Sequence, residues 1–216
     1  MMMFEYPKSD FDVFQRHFAE AMEFAIVDIQ LDFDTFIPLF LTSQIGQDFV
    51  SGSPYAVFGM SGIELALRFY HEIYGAYWSD EIQVQDTRSE FYWLGWMMCE
   101  ITRWFSISLD RVPQIFPMEA LLEMYHPFHE MDTSSMMLSL SEKLRSSETQ
   151  LAKFRHHCHL TQEQLAQQSG VHLRSIQMYE QRHNDISKAQ GISLSRMSKV
   201  LHCRIEDLLE PKVEIQ

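Results

Sequence analysis

The sequence predicts an all-α protein in two parts, a helical N-terminal domain over 1–145 and a smaller helical domain over 146–216. Three observations carry this expectation. Apolar residues recur at spacings of three and four, with no sustained alternation of the kind a strand needs. Capping quartets, in which a hydroxyl and a carboxylate or amide three residues later satisfy each other's backbone donors, stand at Ser61–Glu64 and Thr161–Gln164. The chain also splits by charge. Residues 1–141 carry 6 Lys and Arg against 21 Asp and Glu, a net of −15, whereas 142–216 carry 11 against 9, a net of +2. All four Trp and 15 of the 16 Phe precede residue 142. Such asymmetry points to two units with different partners.

The elements follow in order. Phe11, Phe14, Phe18, Met22 and Ile26 share one face of a helix from Asp10 to Asp28. A second helix is expected from Asp34 to Val50, with Phe36, Phe40 and Ile45 inward and Pro38 in its first turn, where proline is tolerated. Ser51, Gly52, Ser53 and Pro54 break the chain. The Ser61–Glu64 box opens a helix to Tyr74, and polar residues 75–86 form a loop. Thr87 to Phe105 places Phe91, Leu94, Met98, Ile101 and Phe105 on one face, with Trp93, Trp96, Met97 and Trp104 around it, so this helix is expected to be central. A short turn at Ser108 to Ile115 comes next. Pro117 is expected to start a helix to Tyr125, and Asp132 to cap one reaching Leu144 or beyond. Ser146, Ser147, Glu148 and Thr149 mark the domain junction.

With 46% apolar and 22% charged residues, the 216-residue chain can bury a core. No run approaches the roughly 18 apolar residues of a membrane span. The start, Met1 to Tyr6, does not read as a signal peptide. Cys99, Cys158 and Cys203 are widely spaced and odd in number, which fits reduced thiols and a cytoplasmic setting.

Function concentrates near the C-terminus. Thr161 caps a short helix that Gly170 ends, glycine being at ease in the left-handed conformation. Val171 pins the turn, and a second helix follows with Ile176 and Tyr179 inward. Leu173, Arg174, Gln177 and Met178 are left pointing elsewhere, and Arg and Gln suit bidentate contacts to base edges. The run Leu160, Thr161, Gln162, Glu163, Gln164, Leu165, Ala166, then Ser169, Gly170, Val171, then Ser175, Ile176 and Glu180, resembles the Xre or lambda-repressor-like helix-turn-helix family. Leu194, Met197, Leu201, Cys203, Ile205, Leu208 and Leu209 are similar to that family's fourth and fifth helices.

The resemblance covers about 60 residues. It implies a five-helix lambda-repressor-like domain that binds double-stranded DNA. One such small module contacts a single half-site, so a homodimer on a palindromic operator is expected, and repression is the expected outcome because nothing suggests an activation surface. By the same resemblance the helix from Thr161 to Gln168 crosses the phosphate backbone, with Gln162 on a phosphate. The helix from Leu173 to Gln181 enters the major groove, where Leu173, Arg174 and Gln177 read bases and Ser175 touches the backbone. Arg182 and Lys188 neutralise phosphates, and Arg155 pairs with Glu180. Three positions depart from the family pattern. His172 replaces the usual cap hydroxyl, His202 replaces a glycine at a position that often needs positive φ, and Gly191 replaces an alanine.

Other constellations favour plain readings. His156, His157, Cys158 and His159 splay around a helix end, so no metal site is expected. Cys99 and Cys203 read as core. The Trp and Met stripe over 91–104 reads first as packing and second as a pocket or partner groove. Glu119 and Glu123, or His126 and His129, sit at helical spacing but lack a third group or nucleophile motif, so neither catalysis nor a cofactor is expected. The N-terminal domain is expected to dimerise, to sense a small molecule, or to bind a protein. In a rival reading it is an antitoxin-type interaction module, and the helix-turn-helix domain only autoregulates its operon.

Overall fold

The computed structural model describes residues 8–79 and 88–212, and among them the protein is all-α, with no strand. Residues 1–7, the polar stretch 80–86 with Thr87, and 213–216 lie outside the described residues. The chain divides into two compact units between Met137 and Leu138. That division lies inside a helix, ahead of the polar run at 146–149.

In the first unit, α1 (Lys8–Glu23) ends in a wide π turn, Phe24–Asp28, so the expected helix is continuous but loosens at its end. The helix expected over Asp34 to Val50 is two helices, α2 (Phe33–Thr42) and α3 (Gln44–Val50). Ser43 is extended between them, and its hydroxyl accepts from Gly46 N, an ordinary serine cap. Pro38 lies inside α2, beyond the first turn. Then come α4 (Pro54–Phe58), with proline at its start, and α5 (Gly62–Tyr74). The α5 capping box is complete: Ser61 N donates to Glu64 Oε2 at 2.8 Å and Glu64 N to Ser61 Oγ at 3.3 Å.

Ser89 caps α6 (Glu90–Phe105), which packs with α5 against α1. A Cβ on Gly95 would stand 2.9 Å from Ala19 Cα, so glycine is what lets α6 and α1 approach. Met97, Met98, Cys99 and Ile101 are core packing, while Trp93, Trp96 and Trp104 of the same stripe are half-buried. A 3-10 turn at Leu109–Arg111 leads to α7 (Val112–Ile115), α8 (Met118–Leu122) and α9 (Tyr125–Phe128). Pro117 caps α8 rather than occupying its first position. The last helix of this stretch, α10 (Thr133–Ser146), runs through the division.

The second unit holds α11 (Gln150–His157), α12 (Gln162–Ser169), α13 (Leu173–Glu180) and α14 (Gly191–Val200), with 3-10 turns at Ile186–Lys188 and Glu206–Leu208. The last turn stands where a fifth helix was expected. Leu151, Leu165, Val171, Ile176, Ile186, Leu194, Met197, Leu201 and Leu208 form its core. Each such side chain fully removed from water contributes about 1.5–3 kcal/mol before the entropy of ordering it is subtracted.

Candidate nucleic-acid interface

The site is built on α12, α13 and the turn between them. Thr161 caps α12: its Oγ1 accepts from Gln164 N at 3.1 Å, and Thr161 N donates to Gln164 Oε1 at 2.8 Å. Gly170 ends α12 at φ +67, and its N–H donates to Ala166 O. Val171 then enters the core, which sets where α13 begins.

α13 is held by its inner face. Ile176 is fully buried and Tyr179 packs against the core. At its C-terminal end Glu180 takes both arms of Arg155, Nε to Oε1 and NH2 to Oε2, each at 2.7 Å. Arg155 NH1 also donates to Leu160 O at 2.8 Å. Both side chains are under a tenth exposed, at 9% and 6%. The hydrogen bonds that Arg155 donates to Glu180 raise the Arg155 pKa above its ordinary value, so the guanidinium stays charged although buried.

The outer face of α13 is different. Arg174 is exposed, and Leu173, Ser175 and Gln177 are half-buried. The side chains of Arg174, Ser175 and Gln177 make no hydrogen bond or ion pair among the described residues. His172, the N-cap of α13, is exposed and makes no side-chain cap bond, so the departure from a cap hydroxyl leaves that end of the helix without one. Lys188 is exposed in the 3-10 turn after the loop.

Two expected phosphate ligands have hydrogen-bond partners within the protein. Gln162 Nε2 donates to Glu180 Oε2 at 2.8 Å, tying the start of α12 to the end of α13. Arg182, expected on a phosphate, instead donates from NH1 to Ser147 O at 2.8 Å and from NH2 to Leu144 O at 3.1 Å, and it pairs with Glu210 at 3.2 Å. Backbone carbonyls and a carboxylate draw the fork inward, because a helix C-terminus is itself a site for a cation.

A cation that sequence reasoning passed over, Arg196 of α14, reaches the α12–α13 turn. Its NH1 is 3.7 Å from where a Cβ on Gly170 would stand. Arg196 and Lys199 are both exposed on α14, and their spacing of three was the signal available in the sequence. The two remaining departures are accommodated. His202 adopts φ +52 where glycine was the expected type, and the following N–H, of Cys203, closes α14 on Ser198 O at 3.1 Å. Gly191 is the first residue of α14, where its flexibility matters least, and a Cβ there would meet nothing within 4 Å.

Around the site, His156 Nδ1 pairs with Glu148 at 2.6 Å while Cys158 Sγ turns to Leu201 O at 3.5 Å. Among the described residues no group of three His, Cys, Asp or Glu side chains gathers to hold a metal. Burial pushes the Cys203 thiol up to about 11, consistent with its place against the core. No helix of the described residues is long and apolar enough to cross a membrane.

The first unit exposes a different chemistry. Tyr55, Phe58, Ile73, Tyr74 and Tyr77 are exposed large apolar side chains, and Tyr77 stacks on His71 at 4.2 Å. Arg68 lies over the Tyr55 ring at 5.4 Å. Comparison of the chain with protein-family models, with curated proteins and with solved structures returns no match.

Proposed function

We propose that the chain is a sequence-specific DNA-binding regulator, a repressor, acting as a homodimer through a C-terminal domain of the Xre or lambda-repressor-like type. The observation that carries this reading is α13 itself. Its inner face is locked by Ile176 and the Arg155–Glu180 pair, while the side chains of the exposed Arg174 and the half-buried Gln177 have no hydrogen-bond or ion-pair partner among the described residues. Polar side chains on a rigid, short helix, unspent on the fold, are what base reading in a major groove requires. In this reading Arg174 bonds guanine, Gln177 adenine, and Leu173 packs on a thymine methyl. His172, Ser175, Lys188 and Arg196 face the phosphate backbone, and the N–H of Gln162 not used by Glu180 reaches a phosphate at the start of α12. Thr161 contributes through the cap it builds.

Electrostatics argues for two copies. A net charge of +2 over 142–216 gives one domain little general attraction for DNA, and the acidic remainder repels it. Two domains on two half-sites supply the affinity that one lacks. Selection of bound DNA from a random pool by the full-length chain, followed by sizing of the complex, tests this. The expected product is a palindrome whose half-sites lie about 10–10.5 base pairs apart, bound by two chains. A pool with no enriched sequence contradicts the reading.

The exposed aromatic side chains of the first unit favour a second reading, an antitoxin-type interaction protein. Exposed apolar clusters on an otherwise acidic surface suit a basic protein partner. Here the DNA-binding domain serves to autoregulate the operon. A small toxin-like reading frame beside the gene, whose product is neutralised by co-expression of this chain, supports that reading; an isolated locus opposes it.

A further inference from the structure

We propose that Arg182 is a positioning residue for DNA readout, the clasp that fixes the exit of α13, and not a phosphate ligand. The inference rests on the DNA-binding reading above and deepens it. Arg182 sits two residues beyond Glu180, the last residue of α13, at φ +55. A bulky residue held in the left-handed region is costly, so the surroundings must enforce it. Its fork does so. NH1 donates to Ser147 O, and NH2 donates to Leu144 O and to the Glu210 carboxylate. Those carbonyls belong to the last turn of α10 and the residue after it, where the helix dipole favours a cation; Leu144 O also accepts from Ser147 Oγ at 2.9 Å. Glu210 closes the circle: its other oxygen accepts from Gln150 N, the first N–H of α11, at 2.6 Å. One arginine and one glutamate thus join the end of α10, the start of α11 and the exit of α13.

This matters for recognition because α13 is short and base contacts tolerate little misplacement. Its entry is set by Gly170 and Val171 and its inner face by Ile176 and Glu180, while the fork of Arg182 sets the path by which the chain leaves. Glu210 carries a negative charge and is no phosphate ligand, so any dependence of DNA affinity on Glu210 comes through the clasp.

Four full-length proteins test this: wild type, Arg182→Gly, Arg182→Lys and Glu210→Gln. Each is titrated with a duplex selected from a random pool and with a scrambled duplex, across a salt series. Glycine relieves the backbone strain and removes only the fork. Lysine keeps the charge but not the planar fork. The expected result is a loss of about two- to thirtyfold on the selected duplex for all three variants. Affinity for the scrambled duplex and the salt slope should stay at wild-type values. Circular dichroism at the assay temperature checks that each variant is folded; if Arg182→Gly is not, Arg182→Lys and Glu210→Gln carry the test. Wild-type affinity in Arg182→Lys, or an even loss on both duplexes with the slope reduced by about one, makes Arg182 a phosphate ligand and overturns the proposal. Unchanged affinity in Glu210→Gln also overturns it. A wild type that selects no duplex sinks the DNA-binding reading as well, which separates that failure from failure of the clasp alone.

Discussion

The core of the acidic unit mixes buried phenylalanines with aliphatic side chains, whereas the buried core of the second unit is aliphatic. Phe18, Phe36, Phe40, Phe49 and Phe69 are fully buried in the first, with Phe14 stacked on Phe49 at 4.4 Å and Phe36 edge-on to Phe69 at 5.3 Å. The nine buried core residues of the second are Leu, Ile, Val and Met. A small aliphatic core supplies less area to define geometry, and the second unit adds polar links between named atoms: Arg155 to Glu180, Gln162 to Glu180, Arg182 to Leu144 and Glu210. The difference is one of proportion. Packing dominates the first unit, where Gln15 also donates to the buried Glu100 at 2.9 Å and Ile45 N to Glu72 at 3.0 Å, and aromatic side chains stand on its surface. Polar links in the second hold one helix face still.

The contrast can be broken at its strongest points first. Glu180→Ala leaves the buried Arg155 guanidinium unpaired and should cost the second unit about 3–5 kcal/mol. Chemical unfolding followed by far-ultraviolet circular dichroism measures the loss. Phe18→Ala should cost the first unit a comparable amount, about 3–5 kcal/mol, by opening a cavity in a close-packed aromatic cluster. All four Trp lie before residue 138, so their fluorescence follows this loss directly. Loss of less than 1 kcal/mol in either case would contradict the assignment of what holds that unit.

Smaller effects sharpen the picture. Ser43→Ala removes the cap that divides α2 from α3 and should destabilise by about 1 kcal/mol, read from the same fluorescence transition. His202→Gly should stabilise by about 1 kcal/mol, because glycine adopts the left-handed closure of α14 without a side-chain clash. A midpoint unchanged or lowered would show that His202 has a role beyond closing the helix. Hydrogen bonds from Ser187 hold the Asp185 carboxyl below its ordinary value of 3.8. A depressed folded-state pKa means that Asp185 stabilises fully above the ordinary value and loses that contribution as pH falls through the lower, folded one. The thermal midpoint of Asp185→Asn should therefore lose part of the acid sensitivity of the wild type in that window.

Much of this was readable before any coordinates. The capping quartets, Gly170, the buried Val171 and Ile176, and the Arg155–Glu180 pair follow from local chemistry or from a resemblance carried by adjacent residues. The Ser43 break was missed because Phe36, Phe40 and Ile45 keep a helical period straight across it; only the serine cap marks the interruption. The partners of Gln162 and Arg182 were not readable, since they lie 18 to 38 residues away and only the tertiary fold brings them near.

The central claim is that the outer face of α13 reads bases. Its most direct test is the affinity of full-length Arg174→Ala for the selected duplex and for versions changed at each base pair. A loss of about 1–3 kcal/mol is expected on the selected duplex, with the preference relaxed at one base pair only. Equal loss on every duplex would make Arg174 a phosphate contact, and no loss on any would remove α13 from the interface.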